Sequence, residues 1–217
     1  KKRDIPVFDQ PLIETHCHLD YLKDRPLEET LDQARGVNIE RIITIAVSPD
    51  NLATVRELSG RQDWLYGTQV SRRQLQFAAD LDQPVVIHSR EADEDTIRIL
   101  SEFEDTLKRR GVIHSFTSGP GLARYALDQG WCLGFNGITT FNKAENVRDI
   151  VRMAPIEQIL LETDSPFLTP VPYRGRENAP FYLPFVAEKI ADVKELDLSD
   201  VLAQTYRNSL RTFFPAG

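Results

Sequence analysis

The sequence contains four histidines, and each of them closes an apolar run. His16 and His18 form a His-x-His pair at the end of Leu12-Ile13-Glu14-Thr15-His16-Cys17-His18. His88 ends Pro84-Val85-Val86-Ile87-His88, and His114 ends Gly111-Val112-Ile113-His114. Residues i and i+2 of a strand share a face, so His16 and His18 aim the same way. Imidazole is the commonest metal ligand among side chains. A further apolar run, residues 159–164, ends in Asp164 and carries Glu162 on the same face. A strand-end aspartate beside histidines from other strands suits a metal ligand that also accepts a proton from metal-bound water. Taken alone, Asp164-Ser165-Pro166 reads as a turn cap. Taken together, His16, His18, His88, His114 and Asp164 are the donor set of a metal-dependent hydrolase, with Asp164 as its catalytic group. Cys17 alternates with its histidine neighbours and is expected to point away from them, into packing.

These groups need a scaffold that brings several strand ends to one place. Strand-like runs fall at 12–18, 41–47, 65–69, 84–88, 111–116, 131–135 and 159–164. Helix-like stretches lie at about 27–37, 51–62, 71–82, 91–109, 119–130, 143–153, 180–193 and 199–213. Alternating strand and helix with short apolar strands implies a parallel sheet clad in helices. In a β/α barrel the C-terminal strand ends form the active-site face, where these histidines fall. The fold expected is therefore α/β, a TIM-type (β/α)8 barrel forming a single domain over 1–217. Only seven strands are visible, however, where a closed barrel of this kind has eight. The shortfall is local, because strand 65–69 runs almost directly into helix 71–82. A parallel crossover needs a dozen or more residues. One βα unit is thus expected to be absent near 69–71, with a chain break between about Gln69 and Ser71 wider than the ~3.8 Å spacing of bonded residues.

Composition narrows the function classes. The chain has 217 residues, 41% hydrophobic and 27% charged, which suits one globular domain. Its longest apolar runs are strand-length, so no membrane span is expected. Lys1-Lys2-Arg3-Asp4 is not followed by a signal-like apolar region. Two cysteines, Cys17 and Cys132, are too few for a disulfide framework and suit a reducing, cytoplasmic setting. The net charge of −7 argues against a broad electrostatic grip on nucleic acid. It leaves open a nuclease whose bound ions supply local positive charge.

The chain resembles the TatD family of metal-dependent deoxyribonucleases, a branch of the amidohydrolase-like β/α barrels. The stretches that carry the resemblance are Glu-Thr-His-Cys-His-Leu-Asp (14–20), Pro-Val-Val-Ile-His-Ser-Arg-Glu-Ala (84–92), Gly-Val-Ile-His-Ser-Phe (111–116), Gly-Phe-Asn-Gly (134–137) and Leu-Glu-Thr-Asp-Ser-Pro-Phe-Leu (161–168). Arg174-Gly175, Asn178 and Pro180 fit the family's loop after the last strand, and Asn208 with Phe213-Phe214 fits its terminal helix.

The resemblance implies that His16 and His18 hold one divalent ion, that His88 and His114 hold a second, and that Asp164 sits on the first. It also implies a bridging Glu from the fourth strand, which falls in the absent segment. Two ions, Mg²⁺, Mn²⁺ or Zn²⁺, suit such N/O donors, and the sequence does not choose among them. The implied reaction is hydrolysis of DNA phosphodiesters by a metal-activated water, as an exonuclease on single-stranded or frayed ends. Arg90 and Arg174 are candidates to hold a substrate phosphate. Tyr173 or Phe141 is a candidate to stack on an unpaired base. No obligate protein partner is inferred. Two other readings use the same residues: a barrel amidohydrolase acting on a small amide, lactone or ester, and an inactive metal- or ligand-binding barrel.

Overall fold

The computed structural model describes residues 3–60, 65–69 and 74–215. Seven parallel strands appear among them. Strands β1 (Leu12–Cys17), β2 (Ile39–Ala46) and β3 (Leu65–Gln69) form one sheet in that order. Strands β4 (Val86–His88), β5 (Val112–His114), β6 (Cys132–Phe135) and β7 (Ile159–Leu161) form the other. Helices α1 (Leu27–Gly36), α2 (Pro49–Ser59), α3 (Gln74–Leu81), α4 (Asp93–Ser101), α5 (Pro120–Asp128) and α6 (Glu145–Met153) alternate with the strands, and α7 (Leu183–Lys194) and α8 (Leu198–Phe213) follow β7. This is the α/β barrel order read from the sequence.

The two sheets are joined at β7 and β1 by side chains as well as backbone. Thr15 Oγ1 donates to the Leu161 carbonyl at 2.8 Å, and the Thr163 N–H donates to Glu14 Oε1 at 2.9 Å. Beyond them the Asp164 N–H reaches the His16 carbonyl at 2.9 Å, and the His18 N–H reaches the Ser165 carbonyl at 2.7 Å. At the opposite edge no ladder joins β3 to β4 among the described residues. The break expected between Gln69 and Ser71 lies outside the described residues.

Inside the barrel the side chains stack in layers. Val86, Val112, Cys132 and Leu160, one from each strand of the second sheet, form a small separate cluster with Phe213 of α8 packed against it. Two residues further along each strand, on the same face, come His88, His114, Gly134 and Glu162. The apolar layer supports the polar one. Gly134 is required there, because a Cβ at this position would run into the Glu162 carboxylate.

Two elements are shorter than the sequence suggests. Helix α4 stops at Ser101, where residues up to 109 were expected to be helical. Glu102, Glu104 and Asp105 follow at once, and negative charge opposes the dipole at a helix C-terminus. Turn bonds from Phe103 to Leu107 then carry the chain, and Leu107 is buried. Strand β7 ends at Leu161; the Glu162 N–H still reaches the Phe135 carbonyl of β6, and Thr163 and Asp164 then turn towards β1.

Candidate metal centre

His16 is the penultimate residue of β1, and His18 is the first residue beyond that strand. Asp164 lies three residues beyond β7 in the left-handed region, with φ of 57°. Ser115, directly after β5, is also left-handed, with φ of 48°. Such backbone is uncommon for residues other than glycine and concentrates at functional sites. Here it turns the chain sharply at the strand ends that carry His114 and Asp164.

The resulting geometry is tight. Asp164 Oδ1 lies 3.7 Å from His16 Nε2 and 3.5 Å from His18 Nε2. The three side chains offer ligand atoms that all lie within 4.8 Å of one another. His18 Nδ1 is 3.1 Å from the Ile45 carbonyl. A donor at Nδ1 fixes the tautomer and leaves the Nε2 lone pair facing Asp164. Burial, and then the neighbouring His114, His18 and His88 rings, hold His16 well below the ordinary imidazole range. His16 is therefore neutral, as a metal ligand must be.

A second cluster adjoins the first. His16 and His114 stack with ring centroids 3.7 Å apart, and His16, His114 and Glu162 form another group with ligand atoms within 4.8 Å. Glu162 is fully buried; its Oε1 accepts the Ser115 N–H at 2.5 Å and lies 3.7 Å from His114 Nδ1. Burial pushes the Glu162 carboxyl up, against the lowering effect of His114. Burial acts to lower His114, but the Glu162 carboxyl 3.7 Å away outweighs it and raises the imidazole above its ordinary value. His88 is placed differently. Its Nδ1 lies 2.8 Å from His114 Nε2, and its ring is open to solvent and outside both three-donor groups. Burial and His114 lower its pKa.

The donor chemistry fits divalent metal. His16 Nδ1, His114 Nδ1 and one carboxylate oxygen of Glu162, three residues of one donor group, are buried with no hydrogen-bond partner. Each such group costs ~1–3 kcal/mol when left unpaired, so the three together mark a place where a cation completes the set. Neutral imidazoles beside carboxylates are the ligands that Zn²⁺ and Mn²⁺ accept.

Of the residues read from the sequence, His16, His18, His114 and Asp164 converge, and His88 joins through His114. Arg90 lies just beyond His88 and lines a groove with Glu91, Asp93 and Glu94. Arg174 lies over the Phe141 ring, 3.7 Å from its centroid. Tyr173 packs against Tyr182 and Phe185 instead of facing the cluster, so it is a packing residue. Cys17 is buried and turned to the Ile43 carbonyl, as its parity implies.

Two carboxyls have roles that the motif reading missed. Glu14 Oε1 accepts the N–H of both His16 and Thr163 at 2.9 Å, fastening the two strand ends that carry the ligands. Burial, opposed by bonds from Thr163 and His16, pushes its carboxyl up to about 8. Glu162 faces His114 as described above. The available signal was parity: Glu14 lies two residues before His16, and Glu162 two before Asp164. The motif asparagines are braces. Asn178 Nδ2 donates to the Thr163 carbonyl at 2.9 Å, and Asn208 Nδ2 to the Ile159 carbonyl at 2.9 Å, so both hold the β7 segment in place.

Comparison with known proteins agrees with this geometry. The family model described as TatD related DNase matches residues 61–214. The uncharacterized metal-dependent hydrolase YabD of Bacillus subtilis is 28% identical over 252 residues, covering 93% of this chain and 98% of that protein. Since 93% of 217 residues is far fewer than 252, about 50 positions of that relative have no counterpart here, which is the size of a βα unit with its loops. The 3'-5' ssDNA/RNA exonuclease TatD of Erwinia amylovora is 31% identical over 179 residues, covering 80% of this chain and 68% of that protein. Among solved structures, the TatD homolog YjjV from Escherichia coli K12 superimposes with a TM-score of 0.85 at 22% identity, covering 94% of this chain and 98% of that one. The fold is thus that of the TatD barrels, and the chain belongs to the TatD-related DNase family of metal-dependent hydrolases.

Proposed function

We propose that the chain is a deoxyribonuclease that hydrolyses DNA phosphodiesters from chain ends, using two divalent ions in a cytoplasmic setting. One observation carries this reading: Asp164 Oδ1 lies within 3.7 Å of two buried histidines on the open end of the barrel. His16, His18 and Asp164 would hold one ion, and His88 and His114 the other, with Glu162 beside them. Bound there, divalent ions supply Lewis acidity towards a phosphoryl oxygen and make water more acidic. The remaining work falls to the chain itself. Asp164 is placed to take a proton from the attacking water. His18, locked by Ile45, keeps its Nε2 turned inward. Arg90 and Arg174 stand on loops at the same barrel end; the Arg90 guanidinium can pair with a phosphate through two hydrogen bonds, and that of Arg174 lies over the Phe141 ring. The exonuclease relative supports the choice of nucleic acid over a small amide or lactone.

The test is hydrolysis of end-labelled single-stranded DNA with Mg²⁺, Mn²⁺ or Zn²⁺ and with EDTA. A ladder shortening from one end, abolished by EDTA, is expected. A protein that loads metal, by elemental analysis, yet cleaves no DNA with any of the three ions would overturn the proposal.

A further inference from the structure

A groove of about 570 Å³ opens between the loops that follow β5, β6 and β7, the loops that leave the metal centre. Thr117, Phe141, Asn142, Lys143, Asn146 and Arg174 are among its lining residues, and none of its lining residues is acidic. Asn142, Lys143 and Arg174 are exposed. Among the described residues Lys143 and Arg174 take part in no salt bridge. In a chain of net charge −7 this is a local inversion of sign. The next groove, which shares Thr117, holds Glu91, Asp93, Glu94 and Asp95 around Arg90.

The groove is braced before any ligand arrives. Arg148 Nη1 donates to the carbonyls of Thr139 at 2.9 Å and Phe141 at 2.7 Å, and Arg148 Nη2 to that of Asn142 at 3.2 Å. The Val171 N–H donates to Thr140 Oγ1 at 2.9 Å, tying the β7 loop to the β6 loop. Gly137 permits this approach, because a Cβ there would collide with the Leu168 carbonyl. Such preorganisation reduces the entropy lost on binding.

We propose that this groove is the subsite for an unpaired nucleotide flanking the bond to be cut. The base stacks on the Arg174–Phe141 pair, Asn142 and Asn146 meet its polar edge, and Lys143 takes the adjoining phosphate. The proposal rests on the nuclease reading above. Stacking needs a base freed from its own helix, and every base offers a π-face, so the groove selects single strands without selecting sequence.

Binding of a short fluorescein-labelled oligothymidylate, measured by anisotropy in EDTA so that no cleavage occurs, tests this. Lys143→Glu, an exposed change, is expected to weaken binding by ~10-fold and to reduce the slope of log K against log salt by at least ~0.7. Phe141→Ala is expected to weaken binding by ~10-fold, and Phe141→Trp to restore it. The same variants should lower the ratio of oligonucleotide to bis-p-nitrophenyl phosphate turnover in Mn²⁺, because the small diester does not reach the groove. Thermal melts confirm that each variant is folded. Wild-type affinity and salt slope in Lys143→Glu would overturn the subsite, and so would a failure of the wild-type protein to bind the oligonucleotide. A wild-type protein that binds through these residues but cleaves no diester would overturn the nuclease reading and leave the subsite standing.

Discussion

The two halves of the candidate metal centre are built to different standards. His16, His18 and Asp164 hang on a seam closed by four hydrogen bonds between the β1 and β7 segments. Each donor is held in place by a neighbour: His18 by the Ile45 carbonyl, His16 by its stack on His114, Asp164 by its left-handed backbone. His88 and His114 have weaker support. They sit on three-residue strands, and β4 has no neighbour on its β3 side among the described residues. Their rings touch each other, His88 Nδ1 lying 2.8 Å from His114 Nε2. The difference follows from the sheets: among the described residues, no ladder joins β4 to β3, so the half at that edge keeps its histidines without the seam that supports the other half.

The largest expected effect falls on the well-supported half. Asp164→Asn keeps the shape of the side chain but removes its charge, and hydrolysis should fall by ~10³-fold or more while circular dichroism stays that of the wild type. Adding Mn²⁺ should raise the melting temperature of the wild type and not of the variant, since only the native state gains from binding. Normal turnover with full metal content in Asp164→Asn would remove the distinction between the halves. His114→Ala should cost less, ~10–100-fold in activity, and should lower the bound metal by one ion in elemental analysis. If it empties both ions, the halves are one coupled site.

Glu162→Gln sharpens the comparison further. The amide oxygen can still accept the Ser115 N–H, so what is lost is the charge facing His114. Affinity of the second ion should fall by ~10-fold, measured by metal-titration calorimetry, with the first ion unaffected. The smallest effect is expected outside both halves. Cys17→Ala should cost ~1 kcal/mol of stability in urea melts and leave metal content unchanged, because the thiol faces Ile43 and not the ligands. Loss of metal in that variant would return Cys17 to the centre.

Much of this was legible because strand ends are easy to read. His16, His18, His114 and Asp164 each close an apolar run, and parallel sheets put such ends on one rim. The same reasoning gives the expectation of an absent unit near 69–71, which lies outside the described residues. What the pattern could not give was direction where the backbone turns. Period-two alternation fails at Asp164 and Ser115, whose positive φ values re-aim the chain. It also fails to separate His88, exposed at a sheet edge, from His114, buried beside it. Tyr173 looked available for stacking, but neighbouring aromatics claim it. The length of α4 was overread because Phe103 and Leu107 continue an apolar spacing after acidic residues have ended the helix.

The β1–β7 seam has a consequence for biosynthesis. Thr15 bonds to Leu161, 146 positions later in the chain. A ribosome adding ~5–20 residues per second takes roughly 7 to 30 s to cover that distance. Throughout that interval the nascent chain displays His16 and His18 but has no Asp164 to clasp an ion between them. A hydrolase assembled in this order stays inert through most of its synthesis and becomes chemically competent only when β7 docks against β1.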